Sequence, residues 1–512
     1  MNMGFMLKRV AEEKGDREAV VFENIRMTYG ELNARVNRLA NAMNSMGLKK
    51  GDRAGVLLFN CSQYLEIYYA AAKLGVILVT MNYRLAANEL QYILDDSKPT
   101  ALFYGRQFDE VMPSLRKNSD YIQNYIYIGD RSPENTLYYE SFLMEHPDTE
   151  PSADISMEDA QLIIYTSGTT GYPKGALITH ANTLWTCVNQ LIFFKDLNEN
   201  DSALVVMPLY HCGAQNDFTT PVLNMGGKLI IMERVDIIEI AKTIERERIT
   251  TALLLPTLLH MIFQMPDLEK YDFSSLRYVQ TGGAPLPEVT IDNFYRKMGY
   301  HICQVFGLTE GTALTTILDK ESAFRKKGSA GRPLFHVDLK IVDENDQEVP
   351  PGNVGELLQK GPTVMKGYWN NPEATKNTIK NGWLYTGDMA YCDEEGFLYI
   401  VDRKKDMICS GGENIYPREV EEILYQHPAV QEAAVFGIPD DYWVEKVHAA
   451  IVLKQGIETT AAEIMEFCKA RLARYKSPKS VEFMQALPKT PSGKILKREL
   501  RDKYYVGKER KV

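Results

Sequence analysis

Tyr165-Thr166-Ser167-Gly168-Thr169-Thr170-Gly171-Tyr172-Pro173-Lys174-Gly175 is the stretch on which the reading of this chain turns. The run Leu162-Ile163-Ile164-Tyr165 is apolar and rich in β-formers, so it reads as a strand. Ala176 to Phe194 is mostly helix-compatible, and the expected order is strand, loop, helix. The loop holds three glycines, three threonines, one serine and one lysine. Glycines let successive backbone N–H groups turn toward one anion, hydroxyls add uncharged donors, and lysine adds mobile positive charge. That set suits a polyphosphate. Pro173 precedes Lys174 and Gly175 follows it, so no hydroxyl stands beside the lysine to hold magnesium as in a Gly-Lys-Ser/Thr loop. Taken alone, the same composition also describes a flexible surface turn.

Outward from the loop, the chain alternates strand-like and helix-like segments. Leu32, Val36, Leu39, Ala40 and Met43 recur at helical spacing, with Thr28 placed to cap them. Ala54–Phe59, Val76–Thr80 and Thr100–Tyr104 read as strands and Tyr64–Leu74 as a helix. Glu145–Asp159, acidic and holding two prolines, reads as a connector into the loop. Ala203–Met207, Lys228–Met232, Thr251–Leu255 and Leu276–Thr281 continue the strands, with Ile237–Arg246 a helix. Such alternation implies α/β layers around a largely parallel sheet, with ligands beyond the carboxyl ends of the strands. From about residue 330, Gly and Pro punctuate short strands such as Asp338–Val342 and Gly355–Leu358, which suggests a small β subdomain. Residues 406–512 regain alternation and read as a separate α+β domain.

A chain of 512 residues exceeds one ordinary core. Its net charge of -10 disfavours nonspecific nucleic-acid binding. Seven cysteines without ligand spacing suggest neither zinc nor disulfides, and a reducing compartment. Charge returns at Lys8 and Arg9, so no secretory signal is read, and no run approaches 18 apolar residues. The cytoplasm is the expected location, with no integral membrane segment. Peripheral membrane contact and homo-oligomers stay open.

Several strings, in order, resemble signatures of the adenylate-forming superfamily: acyl-CoA synthetases, aryl-CoA ligases, peptide-synthetase adenylation domains and firefly luciferase. Tyr165–Gly175 is similar to its phosphate-binding loop, and Gln304-Val305-Phe306-Gly307-Leu308-Thr309-Glu310-Gly311 to its second signature. Trp383-Leu384-Tyr385-Thr386-Gly387-Asp388 and Pro488-Lys489-Thr490-Pro491-Ser492-Gly493-Lys494-Ile495 resemble two more. The likeness spans roughly residues 10–500. It implies a large AMP-binding domain over 1–402 with a small β subdomain near 330–402, a hinge at 403–405 on Lys405, and a mobile domain over 406–512.

The resemblance also implies roles. Thr166, Ser167, Gly168, Thr169, Thr170, Gly171 and Lys174 would cradle phosphates, and Glu310 would bind Mg2+ through hard carboxylate oxygen. Thr309 would donate to the α-phosphate, beside Gly307. Gly282, Gly283, Ala284 and Pro285 would admit adenine, with Phe306 stacking on it where most relatives carry tyrosine. Asp388 and Arg403 would hold the ribose, and Lys494 would sit between acid and α-phosphate. Gly411, Gly412 and Glu413 would line a tunnel for coenzyme A. His211, Gln215, Thr281, Gly282, Gly307, Gly311 and Thr312 would border the acid, the glycines leaving room for a large organic tail. Lys497, Arg498 and Arg501 read as solubilising charges near Lys494.

The implied activity is an ATP- and magnesium-dependent acid:CoA ligase releasing AMP and pyrophosphate. Its texture is closest to bacterial medium- or long-chain fatty acyl-CoA synthetases. Aryl acids, a carrier protein as acceptor, and a nucleotide-binding regulator without turnover are the alternatives.

Overall fold

The computed structural model describes residues 2–130, 133–166, 173–283, 288–299, 302–410, 413–440, 442–489 and 495–505. It is a mixed α/β architecture with a large N-terminal domain and a smaller C-terminal one, as the alternation implied. The first sheet runs Gly367–Tyr368, Lys174–Thr179, Ala160–Thr166, Ile77–Thr80, Arg53–Leu57, Ala101–Gly105, Asn124–Ile128, Leu137–Tyr138. From Ala160–Thr166 onward it is parallel. A second sheet has a parallel centre made of Cys303–Phe306, Tyr278–Gly282, Thr251–Leu253, Ser202–Val205, Lys228–Ile231 and Glu18–Phe22. Antiparallel strands close both of its edges.

One core joins the two sheets. Leu78, Phe103 and Leu162 from the first and Val20, Val205 and Leu229 from the second share it with the helices between them. The helix Tyr29–Ser45 shows why. Thr28 and Glu31 form a capping box, and Leu32, Val36, Leu39, Ala40 and Met43 are all buried at the spacing read from sequence. The helix Ser62–Leu74 is buried nearly all round, as a helix between two sheets must be.

The region rich in Gly and Pro is an antiparallel sheet of Asp338–Val342, Gly355–Lys360, Trp383–Cys392, Ile379–Lys380 and Leu398–Arg403. The C-terminal sheet holds Ile408–Ser410, Glu413–Ile415, Val430–Asp440, Val444–Leu453 and Ser480–Phe483, with Pro417–Tyr425 and Ala461–Lys469 packed on it.

One expectation is corrected at the opening stretch. The loop is followed by a second strand, Lys174–Thr179, before the helix His180–Phe193 begins. That strand pairs antiparallel with Ala160–Thr166, so Thr166 faces Lys174 across the mouth of a hairpin. The strand also takes an edge strand of its own, Gly367–Tyr368, which pairs with Ala176 and Leu177. Thr179 then caps the helix in a box with Asn182. Among the described residues no helix is long and apolar enough to cross a membrane.

Candidate active site

The hairpin mouth is where distant parts of the chain meet. Glu310 sits in a single 3-10 turn, Thr309–Gly311, just beyond the strand Cys303–Phe306. Its Oε1 accepts hydrogen bonds from Thr166 Oγ1 at 3.2 Å and from Tyr368 Oη at 2.9 Å. Lys174 Nζ stands 5.3 Å from the centre of the Tyr368 ring. Tyr368 is locked in place because Gly367–Tyr368 pairs with Ala176–Leu177, and Trp369 N donates to Gly175 O at 2.7 Å. Burial and then the Glu310 carboxylate raise the Tyr368 phenol well above its ordinary range, so it stays a neutral donor. Ser167, Gly168, Thr169, Thr170 and Gly171 lie outside the described residues.

Among the described residues no cluster of three or more His, Cys, Asp or Glu is placed to cage a metal. The oxygen groups at the mouth are one carboxylate, Glu310, and the two hydroxyls of Thr166 and Tyr368 that donate to it. That set fits magnesium, which takes one or two protein oxygens and completes its shell with phosphates and water.

Asp388 and Arg403, the residues expected to hold the ribose, are register partners on neighbouring strands. Arg403 Nε lies 2.6 Å from Asp388 Oδ1, and Asp388 is 2% exposed. Thr386 Oγ1 accepts from Asp388 N at 3.1 Å and donates to Leu357 O at 2.7 Å, which fixes the turn. Phe306 is half-buried and packs against the cluster of Ala330, Leu357 and Leu398. Gly282 ends its strand, and Gly283 has φ of 77°, where glycine is favoured. Ala284 and Pro285 lie outside the described residues.

The expected acid border divides. His211 follows the strand Ser202–Val205, with its ring 4.4 Å from that of Tyr210. It leads into Gly213–Thr219, a π-helix and so a widened turn of the kind found at functional sites. Gln215 on it is 2% exposed, and neither of its side-chain polar atoms has a hydrogen-bond partner among the described residues. Thr312 is buried; its hydroxyl donates to Thr363 O at 2.6 Å, and its carbonyl accepts from Thr186 Oγ1 at 3.1 Å. Thr281 alternates with Gln280, so it shares the sheet face of Val279, opposite the face of Tyr278 and Gln280.

The glycine argument is corrected. A Cβ on Gly307 would stand 1.9 Å from Ala313 O, and one on Gly311 2.5 Å from Gln359 Oε1. These glycines let the chain pack against itself and leave no room there for an organic tail.

At the expected hinge, Arg501 Nη1 lies 3.5 Å from Lys405 O and 3.4 Å from Asp406 Oδ1. Burial lowers the Lys405 ammonium from its ordinary range, against the opposing pull of Asp406. Lys497 Nζ lies 2.9 Å from Glu421 Oε1 and 3.9 Å from Asp402 Oδ2. Lys497 and Arg501 therefore do not read as solubilising charges: their side chains are 16% and 12% exposed and fasten the C-terminal helix to Asp402, Glu421 and Asp406. Arg498, at 58%, fits the original reading. Glu413 is exposed on a short strand paired with Ile408–Ser410. Gly411, Gly412 and Lys494 lie outside the described residues.

Sequence reasoning missed Tyr368, Trp369 and Asn182. The Gly-Tyr-Trp string carries no recognisable chemistry until the sheet sets it beside Glu310. Asn182 donates to Pro362 O and Val364 O at 2.8 and 2.9 Å, a role only the fold reveals.

Comparison with known proteins gives two family matches. The AMP-binding enzyme family matches residues 7–369, and the AMP-binding enzyme C-terminal domain matches 419–494. The chain is 39% identical to a feruloyl-CoA synthase of Amycolatopsis sp over 479 residues, 93% of this chain and 94% of that one. It is 38% identical over 508 residues, 98% of both chains, to the long-chain-fatty-acid–CoA ligase FadD13 of Mycobacterium tuberculosis. The crystal structure of the anthranilate CoA ligase AuaEII with anthranoyl-AMP superposes with a TM-score of 0.92, at 29% identity over 99% of this chain and 98% of that one.

Proposed function

This chain belongs to the AMP-binding enzyme family and is an AMP-forming acyl- or aryl-CoA ligase using ATP and CoA, and we propose how its residues divide that work and which acids it takes. The observation that carries the assignment is the junction of Thr166, Glu310 and Tyr368 at the hairpin mouth. It puts one oriented carboxylate beside a loop built for phosphates and a lysine.

The Ser167–Gly171 backbone and Lys174 hold the β- and γ-phosphates, and Glu310, steadied by Tyr368, would hold magnesium, which would offset the negative charge of the phosphates. Asp388 accepts from the ribose hydroxyls, with Arg403 orienting it. Thr309 donates to the α-phosphate, and Gly282–Pro285 and Phe306 flank adenine. Lys494 brings its ammonium between acid and α-phosphate, where negative charge develops as the acid oxygen attacks phosphorus and pyrophosphate leaves. The CoA sulfur then attacks the acyl carbon, guided by Gly411, Gly412 and Glu413, and AMP leaves. The two steps need different partners in one place, so residues 406–512 pivot about 403–405 between them, excluding water as they close.

The medium- or long-chain fatty acid expected from sequence draws support from the FadD13 likeness. The aryl alternative draws support from the feruloyl-CoA and anthranilate ligases and from the polar character of Gln215 and its neighbours. That buried polarity favours the aryl reading.

The test is carboxylate-dependent exchange of labelled pyrophosphate into ATP, followed by a thioester assay. Lys494→Ala should reduce exchange at least about 100-fold while thioester formation from supplied acyl-adenylate persists. Equal loss of both steps would remove Lys494 from the first half-reaction. No exchange with any acid, by a folded protein that binds ATP, would favour a nucleotide-binding regulator.

A further inference from the structure

The helix Ala87–Ser97 supplies no atom to the proposed chemistry, yet it meets the phosphate-loop hairpin at both arms. Leu90, Ile93 and Leu94 bury its inner face in a cluster shared with Ile163 of the strand Ala160–Thr166 and Leu177 of the strand Lys174–Thr179. Tyr92 and Asp96 lie four residues apart, so both project from one side of the helix. Tyr165, next to Thr166 on the entering arm, donates from Oη to Asp96 Oδ2 at 2.5 Å. Tyr92 Oη donates at 3.2 Å to the carbonyl oxygen of Pro173, the residue before Lys174 on the leaving arm. Burial, and then the bond to Asp96, raise the Tyr165 phenol far above its ordinary range, so it stays a neutral donor.

The end of the helix that makes these contacts is itself fixed. Asp96 O accepts from Trp369 Nε1 at 3.2 Å and from Asn370 Nδ2 at 3.1 Å. Arg53 Nε donates to Ser97 O and Arg53 Nη2 to Lys98 O, each at 3.0 Å. Carbonyls that a helix leaves open at its C-terminus therefore have partners. Trp369 N in turn donates to Gly175 O at 2.7 Å, and Trp369 follows Tyr368, a donor to Glu310. One helix thus braces both arms of the hairpin, while its last turn is tied to the strand that steadies Glu310. Thr166 and Lys174 face each other across the hairpin mouth, so a shift of either arm changes the gap between them. A site held in shape before its ligand arrives loses less freedom on binding.

We propose that Tyr92 and Asp96 are positioning residues for ATP, fixing the two arms of the phosphate-loop hairpin at the separation its β- and γ-phosphates need. Each acts through a neighbour, Tyr92 through Pro173 and Asp96 through Tyr165. The inference rests on the reading, given under Proposed function, that Lys174 meets those phosphates. Gln91, beside Tyr92 on the same helix, serves as the contrast: its Nε2 donates to Asp95 Oδ1 at 2.9 Å and to Ser119 Oγ at 3.0 Å, and neither partner belongs to the hairpin.

The test is calorimetric titration of the full-length enzyme with ATP and with AMP, each in the presence of magnesium. Tyr92→Phe removes one hydroxyl and should raise the Kd for ATP about fivefold. Asp96→Ala removes a charged acceptor and should raise it about tenfold. Asp96→Asn keeps an acceptor for Tyr165 and should recover most of that loss. The Kd for AMP, which lacks the β- and γ-phosphates, should not change in any of the three, nor the Kd for ATP in Gln91→Ala. An unchanged Kd for ATP in Tyr92→Phe overturns the proposal even if Asp96→Ala fails to fold. Equal weakening of ATP and AMP, or a matching loss in Gln91→Ala, overturns it as well, since either marks a general loosening of the helix. Lys174→Ala separates the two readings. If it weakens ATP while Tyr92→Phe does not, this inference alone falls; if it leaves ATP binding unchanged, the phosphate reading falls and the inference with it.

Discussion

Glu310 shows how one residue acquires meaning from its neighbours. Its string was legible, because Gly-Leu-Thr-Glu-Gly is a specific pattern, yet its two hydrogen-bond donors come from 144 positions before it and 58 after. Tyr368→Phe deletes one donor while leaving the ring in its strand. On the magnesium role proposed for Glu310, the expected result is a rise of about tenfold in the magnesium concentration needed for half-maximal pyrophosphate exchange. An unchanged magnesium dependence would reduce Tyr368 to packing. Gly307 teaches the converse. No local pattern separates a glycine that makes room for a ligand from one that makes room for Ala313 O, because both look like a missing side chain.

The hairpin around the phosphate loop is the element on which sequence and fold diverged. Local pattern could not separate strand from helix over Lys174–Thr179, six residues whose apolar run is short enough for either. Pairing with Ala160–Thr166 on one side and Gly367–Tyr368 on the other decided it. The helix that follows is anchored by Asn182, whose side chain accepts from Thr179 N at 2.8 Å and donates to Pro362 O and Val364 O. Those carbonyls flank the segment whose Met365 N donates to Glu310 O at 2.8 Å. Asn182→Ala would leave buried carbonyls unpaired. It should cost about 2–4 kcal/mol in chemical denaturation, with a larger fractional loss of exchange than the acid pocket alone explains. A cost under about 0.5 kcal/mol would show that water replaces the amide.

At the scale of the whole molecule, the joint between the two domains is held by paired buried charges. Arg418 N donates to Asp402 Oδ2 at 2.9 Å, Arg418 Nη1 to Ile400 O at 2.7 Å, and Lys497 bridges Glu421 and Asp402. Glu421 and Asp402 keep the Lys497 ammonium charged despite its burial. Lys497→Met leaves Glu421 buried beside no cation, so the C-terminal domain should lose about 3–5 kcal/mol and melt ahead of the rest in calorimetry. A single unshifted transition would show the pair to be dispensable. Read by itself, the chain determined its class, most of its strand and helix alternation, and the strings that mark its family, because those depend on local periodicity and on residue types at short spacing. Only the tertiary structure decided that Tyr368 meets Glu310, that Lys497 reaches Glu421 and Asp402, and that Arg501 reaches Lys405 and Asp406. Each of those is a contact between segments far apart in sequence, set by how the sheets stack, and no local pattern carries the position of a distant partner.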